Sequence, residues 1–188
     1  MRVSLILFTV LLAFAFSLQA QTKAILVKLP TYAKRMAYYK DQHNIEKMLQ
    51  LQRDVDSIDK YIIADFTENF TYGPVYYFYD TSFEQVKERQ LDGALLNTDL
   101  TITEHSVIEA MGNNYLVVEY GLSDHEATRG MYRLLTYYPS MERVDISLKT
   151  KNMWDNSNSY YSPLLNLHYR GEASILSKKL KSGLNRWE

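Results

Sequence analysis

Asp80 closes the aromatic run Val75–Tyr79 and is followed at once by Thr81 and Ser82, so a carboxylate stands where a strand gives way to a helix. In open α/β sheets ligands collect outside the carboxyl ends of strands, which makes Asp80 the leading candidate for acid–base or binding chemistry. The same residues also read as a turn and helix cap, since Glu84 and Gln85 follow Thr81 and Ser82 at capping-box spacing. His125, between Asp124 and Glu126, is the second acid–base candidate. His105 has Glu104 beside it and Glu109 four residues on. Neither histidine falls in a paired-ligand pattern such as H-E-x-x-H, and no metal site is expected. His43 and His168 read as surface or packing residues. Seven glycines form neither a G-x-S-x-G turn nor a phosphate-cradling loop. Serine-hydrolase and nucleotide chemistry are therefore not indicated, and no cofactor is expected.

Trp154, Tyr160 and Tyr161 stand in the Asn- and Ser-rich stretch Asn152–Ser162, which reads as a surface loop. Rings held in a polar loop suit stacking on a sugar, a peptide or another flat ligand, and these three are the candidate ligand-binding residues. The strand aromatics Tyr76, Tyr77, Phe78 and Tyr79 alternate between the two faces of a sheet and are expected to be core.

These residues need elements to hold them. The run Lys23–Leu29, ended by Pro30, reads as a buried first strand. From Thr31 to about Asn69 neither Gly nor Pro interrupts, and Ile45, Met48, Leu49, Val55, Ile58, Ile62 and Phe66 recur at three- and four-residue steps of an amphipathic helix. One helix over that span would be about 58 Å long, more than the roughly 40 Å breadth of a compact domain this size. The cluster Asp41-Gln42-His43-Asn44 is the expected break, with Asp and Asn able to cap a second helix. Gly73-Pro74 leads into the aromatic strand Val75–Tyr79, and a helix running to about Gln90 is expected after the capping box. Asp92-Gly93 then stops that helix, and Ala94–Asn97 reads as a third strand. Strand, helix, strand, helix, strand favours parallel pairing. In the second half Tyr115–Tyr120, Met131–Tyr138 and Arg143–Leu148 read as antiparallel strands, followed by a basic amphipathic helix within Leu164–Trp187. The fold class is α/β, with a mixed sheet, helices packed on it and one long N-terminal helical segment.

Met1 and Arg2 precede the apolar run Leu5–Phe16 and Ser17-Leu18-Gln19-Ala20, the pattern of a signal peptide cut near residue 20. Twelve apolar residues fall short of the roughly 20 needed to span a bilayer core, so no transmembrane segment is expected after cleavage. Residues 21–188 are then one domain, exported to the periplasm, the outer-membrane surface or the medium. The chain has no cysteine, which leaves stability to an apolar core and excludes thiol chemistry. Loss of Arg2 leaves 20 Lys and Arg against 22 Asp and Glu, and no nucleic-acid partner is expected.

The leader, the Ala24–Leu29 strand, the long charged helix and the segment Asn69–Asp80 together resemble uncharacterised secreted proteins of Gram-negative bacteria. The resemblance implies location and no activity. The order of strands and helices is also similar to the thioredoxin type, and the absence of cysteine argues against its redox chemistry. The leading expectation is a non-catalytic envelope protein that binds a protein partner or extracellular ligand through the aromatic loop or the long helix. Two others stand beside it. One is a cofactor-free hydrolase or lyase using Asp80 and His125, and the other is homo-oligomerisation through the long helix.

Overall fold

A computed structural model describes residues 23–122, 132–144, 159–162, 167–170 and 172–183. The fold is built on four strands, β1 (Ala24–Leu29), β2 (Val75–Tyr79), β3 (Tyr115–Leu122) and β4 (Tyr132–Tyr137), in the order β2-β1-β3-β4. β1 pairs in parallel with both β2 and β3, and β3 pairs antiparallel with β4. β1 is central because its sequence tolerates nothing else. Ala24, Ile25, Leu26, Val27 and Leu29 are all buried, as a parallel strand covered on both faces requires.

Alternation along β1 divides the core into two layers. Ile25, Val27 and Leu29 meet Ile58, Ile62, Phe66 and Phe70 on one face of the sheet. Ala24 and Leu26 meet Val86, Leu91 and Leu95 on the other. Each fully buried aliphatic or Phe side chain contributes about 1.5–3 kcal/mol, so both layers are needed to hold a fold without disulfides.

The segment after β1 forms two helices, α1 (Ala33–Asp41) and α2 (Ile45–Asn69), and the break falls at Gln42–Asn44. Asn44 caps α2 through its side chain, which accepts a hydrogen bond from the Lys47 N–H at 3.1 Å. The first half of α2 packs on α1 through Tyr39, Leu51 and Val55, and the second half lies on the sheet. After β2 come a 3-10 turn (Asp80–Ser82), α3 (Phe83–Lys87) and α4 (His105–Met111). The terminal helix α5 (Ala173–Gly183) packs against α2. A separate antiparallel pair, β5 (Ser159–Ser162) and β6 (Leu167–Arg170), lies near α2 and β4.

Three local expectations are corrected, and one falls largely outside the described residues. The capping box does not form, since Ser82 makes no side-chain cap bond and α3 ends at Lys87 rather than near Gln90. Its place is taken by the 3-10 turn, which already ties up Thr81 and Ser82. Ala94–Asn97 is no strand. Leu96 makes isolated antiparallel bridges to Tyr77 and Ile102, because Asp92-Gly93 on one side and the Asn97–Thr101 turn on the other leave no length for a ladder. The third parallel strand is β3, whose run Leu116–Val118 is buried on both faces. Arg143 only bridges to Tyr137, and residues 145–150, where the rest of that strand was expected, lie outside the described residues. Residues 152–158 of the expected loop Asn152–Ser162 lie outside the described residues, and its end, Ser159–Ser162, is strand β5, paired antiparallel with β6.

Candidate functional site

The carboxyl ends of β1 and β2 carry polar side chains tied to the sheet. Asp80 directly follows β2, and its carboxylate accepts a hydrogen bond from the Thr31 hydroxyl two residues beyond β1. Tyr32, next in the chain, takes a left-handed backbone with φ 51°. A non-glycine residue in that region is held there by its surroundings at a cost of about 1 kcal/mol or more.

Lys28 is the one charge in β1 and points to the α3 side of the sheet, where its ammonium pairs with Glu119 of β3. The other Glu119 oxygen accepts from the Tyr137 hydroxyl at 3.0 Å, and the Lys28 ammonium lies 5.0 Å from the centre of the Phe83 ring. Burial pushes the Lys28 pKa below its ordinary value, against an opposing pull from the Asp80 charge.

On the opposite face α2 contributes Asp59, which is 8% exposed. Its Oδ1 is shut off from solvent and has no hydrogen-bond partner among the described residues. Burial, then the charges of Asp56 and Asp80, raise its pKa to about 7. Tyr79 feels the same charges, with burial first and Asp59 and Asp56 after it raising its phenol. A carboxyl group that titrates near neutrality beside a second carboxylate can bind a cation or exchange a proton.

A second buried polar group has a structural role. Asp65 accepts from the Ala173 N–H at 3.1 Å and from the Asn69 amide at 3.0 Å, which ties α5 to α2. Glu172 accepts from the Leu134 N–H at 2.8 Å and so satisfies a β4 donor. Burial raises the Asp65 carboxyl, and it raises the nearby phenols of Tyr61 and Tyr120 with help from Asp65 and Glu172.

Of the sequence candidates, only Asp80 takes its place in the strand-end constellation. Tyr160 and Tyr161 belong to β5, paired with Tyr169 and His168 of β6. Trp154 and His125 lie outside the described residues. His105 stands apart on the surface, where Nδ1 meets Asp92 at 3.1 Å and Nε2 meets Glu109 at 3.3 Å. Among the described residues no group of three or more His, Cys, Asp or Glu is arranged to hold a metal ion.

Asp59, Lys28, Thr31 and Glu119 were missed as site residues. A signal existed for two of them. Lys28 interrupts an otherwise apolar strand, and Asp59 falls four residues after Val55 and so shares its buried helix face.

No protein-family model, no curated protein and no solved structure matches this chain. Its function is argued from its own geometry.

Proposed function

We propose that this is an exported, non-catalytic envelope protein that binds a protein partner through the tip of its α1–α2 hairpin. The observation that supports this reading is a set of large apolar side chains left exposed near that tip. Tyr38 is 59% exposed, Ile45 53% and Leu49 52%, while the same helix buries Leu51, Val55, Ile58 and Ile62. Ile45 and Leu49 are four residues apart and share one face of α2, and Tyr38 comes from the last turns of α1. An amphipathic helix that presents apolar anchors at i and i+4 to solvent fits the helix-in-groove mode of partner recognition. The apolar leader run Leu5–Phe16 supports the exported location.

The test replaces Ile45 and Leu49 with Glu, positions where solvent already reaches the side chains and folding is expected to survive. Native protein and variant are cross-linked in the envelope fraction, and both are sized by light scattering after purification. A cross-linked partner present with native protein and absent with the variant supports the reading. Identical cross-links, or none, refute it. A native dimer that the variant turns into a monomer assigns the hairpin tip to homo-oligomerisation instead.

A further inference from the structure

The terminal helix carries a surface of a different kind from the hairpin tip. We infer that the outward face of α5, where Lys178, Lys179 and Lys181 are exposed, adsorbs the protein to an anionic lipid surface. Three observations lead there.

The first is how the helix is held. Ala173, Leu176 and Leu180 are buried in the core, and the buried Ser177 hydroxyl accepts from the Thr71 N–H at 3.1 Å. Asp65 caps the start of the helix by accepting from the Ala173 N–H at 3.1 Å, and the Lys181 ammonium donates to the Thr71 hydroxyl at 2.7 Å. At about 3.6 residues per turn, Lys178 then faces away from the buried stripe, with Lys179 and Lys181 on either side of it.

The second is the charge pattern. The sequence as a whole is near neutral, with 21 Lys and Arg against 22 Asp and Glu, yet α5 holds three lysines and no acidic residue. α1, α2 and α3 each mix both signs, and α4 has no Lys or Arg. The helix dipole accounts only for Lys181, the basic residue of the last turn, because its pull fades beyond that turn. Among the described residues Lys178, Lys179 and Lys181 form no ion pair.

The third is shape. Ammonium groups fanned over a convex helix face diverge, so a single phosphate matches them poorly. A layer of lipid headgroups matches them well, because it offers anionic oxygens across the whole area the face covers. The apolar stripe of α5 is taken up by the core, against which Ile175 also packs, so the helix does not insert. Among the described residues no helix is long and apolar enough to cross a membrane. Attachment is therefore electrostatic, at headgroup level, and released by salt.

The test is co-sedimentation of the mature chain, residues 21–188, with two kinds of vesicle. One is phosphatidylcholine alone, and the other is equal parts phosphatidylglycerol and phosphatidylcholine. Binding to the anionic vesicles at low salt, its loss in about 1 M salt and no binding to the neutral vesicles are expected. Each lysine near such a surface strengthens adsorption about fivefold, so Lys178→Gln with Lys179→Gln should weaken it about 25-fold. Lys178→Arg with Lys179→Arg should bind as the native protein does, since the charge is kept. Both positions are exposed and Lys181 keeps its bond to Thr71, so these variants are expected to fold, and the salt comparison on native protein needs no variant. The inference is overturned if anionic vesicles bind nothing at low salt, if neutral vesicles bind equally, or if the folded Gln variant binds like native protein. Displacement by inorganic phosphate at an ionic strength too low to screen, or by polyglutamate at equal charge, also overturns it, in favour of a free anion or an acidic protein.

Discussion

Replacing Asp59 by Asn should stabilise the protein increasingly as pH rises above about 4, with the full gain reached above pH 7. In the unfolded chain the carboxyl titrates near 3.9, whereas burial in the folded chain raises it to about 7. A folded pKa above the unfolded one means that the folded state holds the proton more tightly. The native protein is therefore most stable below about pH 4 with respect to this group, and it loses stability as pH rises towards 7. Three pH units at about 1.36 kcal/mol each put the full loss at about 4 kcal/mol above pH 7. Asn cannot ionise, so the variant escapes that loss. For a domain of this size about 4 kcal/mol corresponds to a rise in Tm on the order of 8–16 °C. Thermal unfolding followed by circular dichroism at pH 4.5 and pH 8 reads the difference directly. At pH 4.5, less than one unit above the unfolded carboxyl, the variant's gain should shrink to about 1 kcal/mol, offset by the cost of an unpaired amide. A variant that melts at or below the native protein at pH 8, or that gains equally at both pH values, would refute the reasoning.

Two other substitutions probe how the site is held. Glu172→Ala removes the buried acceptor of the Leu134 N–H and should cost about 1–3 kcal/mol; hydrogen exchange should show α5 and the β4 amides losing protection together. Asn44→Ala removes the cap of α2 and should cost about 0.5–2 kcal/mol in denaturant unfolding, and a cost near zero would mean that the Asn44 side chain does not satisfy the Lys47 N–H.

The parts of this protein legible in its sequence are those set by local chemistry. β1 and β2 follow from short apolar runs bounded by Pro30 and by Gly73-Pro74. The division between α1 and α2 follows from Asn44, whose side chain competes for backbone donors and so belongs at a cap. The α/β class follows from how these elements alternate. What stayed hidden depends on partners distant in the chain. Ala94–Leu96 is as apolar as a strand and is buried like one, but burial comes from packing and a strand needs a neighbour to bond. β3 was recognised as a strand, yet its parallel alignment with β1 is a property of the crossover and not of its own residues. Thr81 and Ser82 have the spacing of a capping box, and the turn that Asp80 begins used them differently. The site shows the same limit. Asp80 could be placed from sequence because it ends a strand, but Thr31 lies 49 residues away and Glu119 lies 91 residues from Lys28. Sequence order alone determined which side chains could ionise. Only the tertiary fold decided which of them lost water and met one another, because desolvation and electrostatic coupling depend on distances through space.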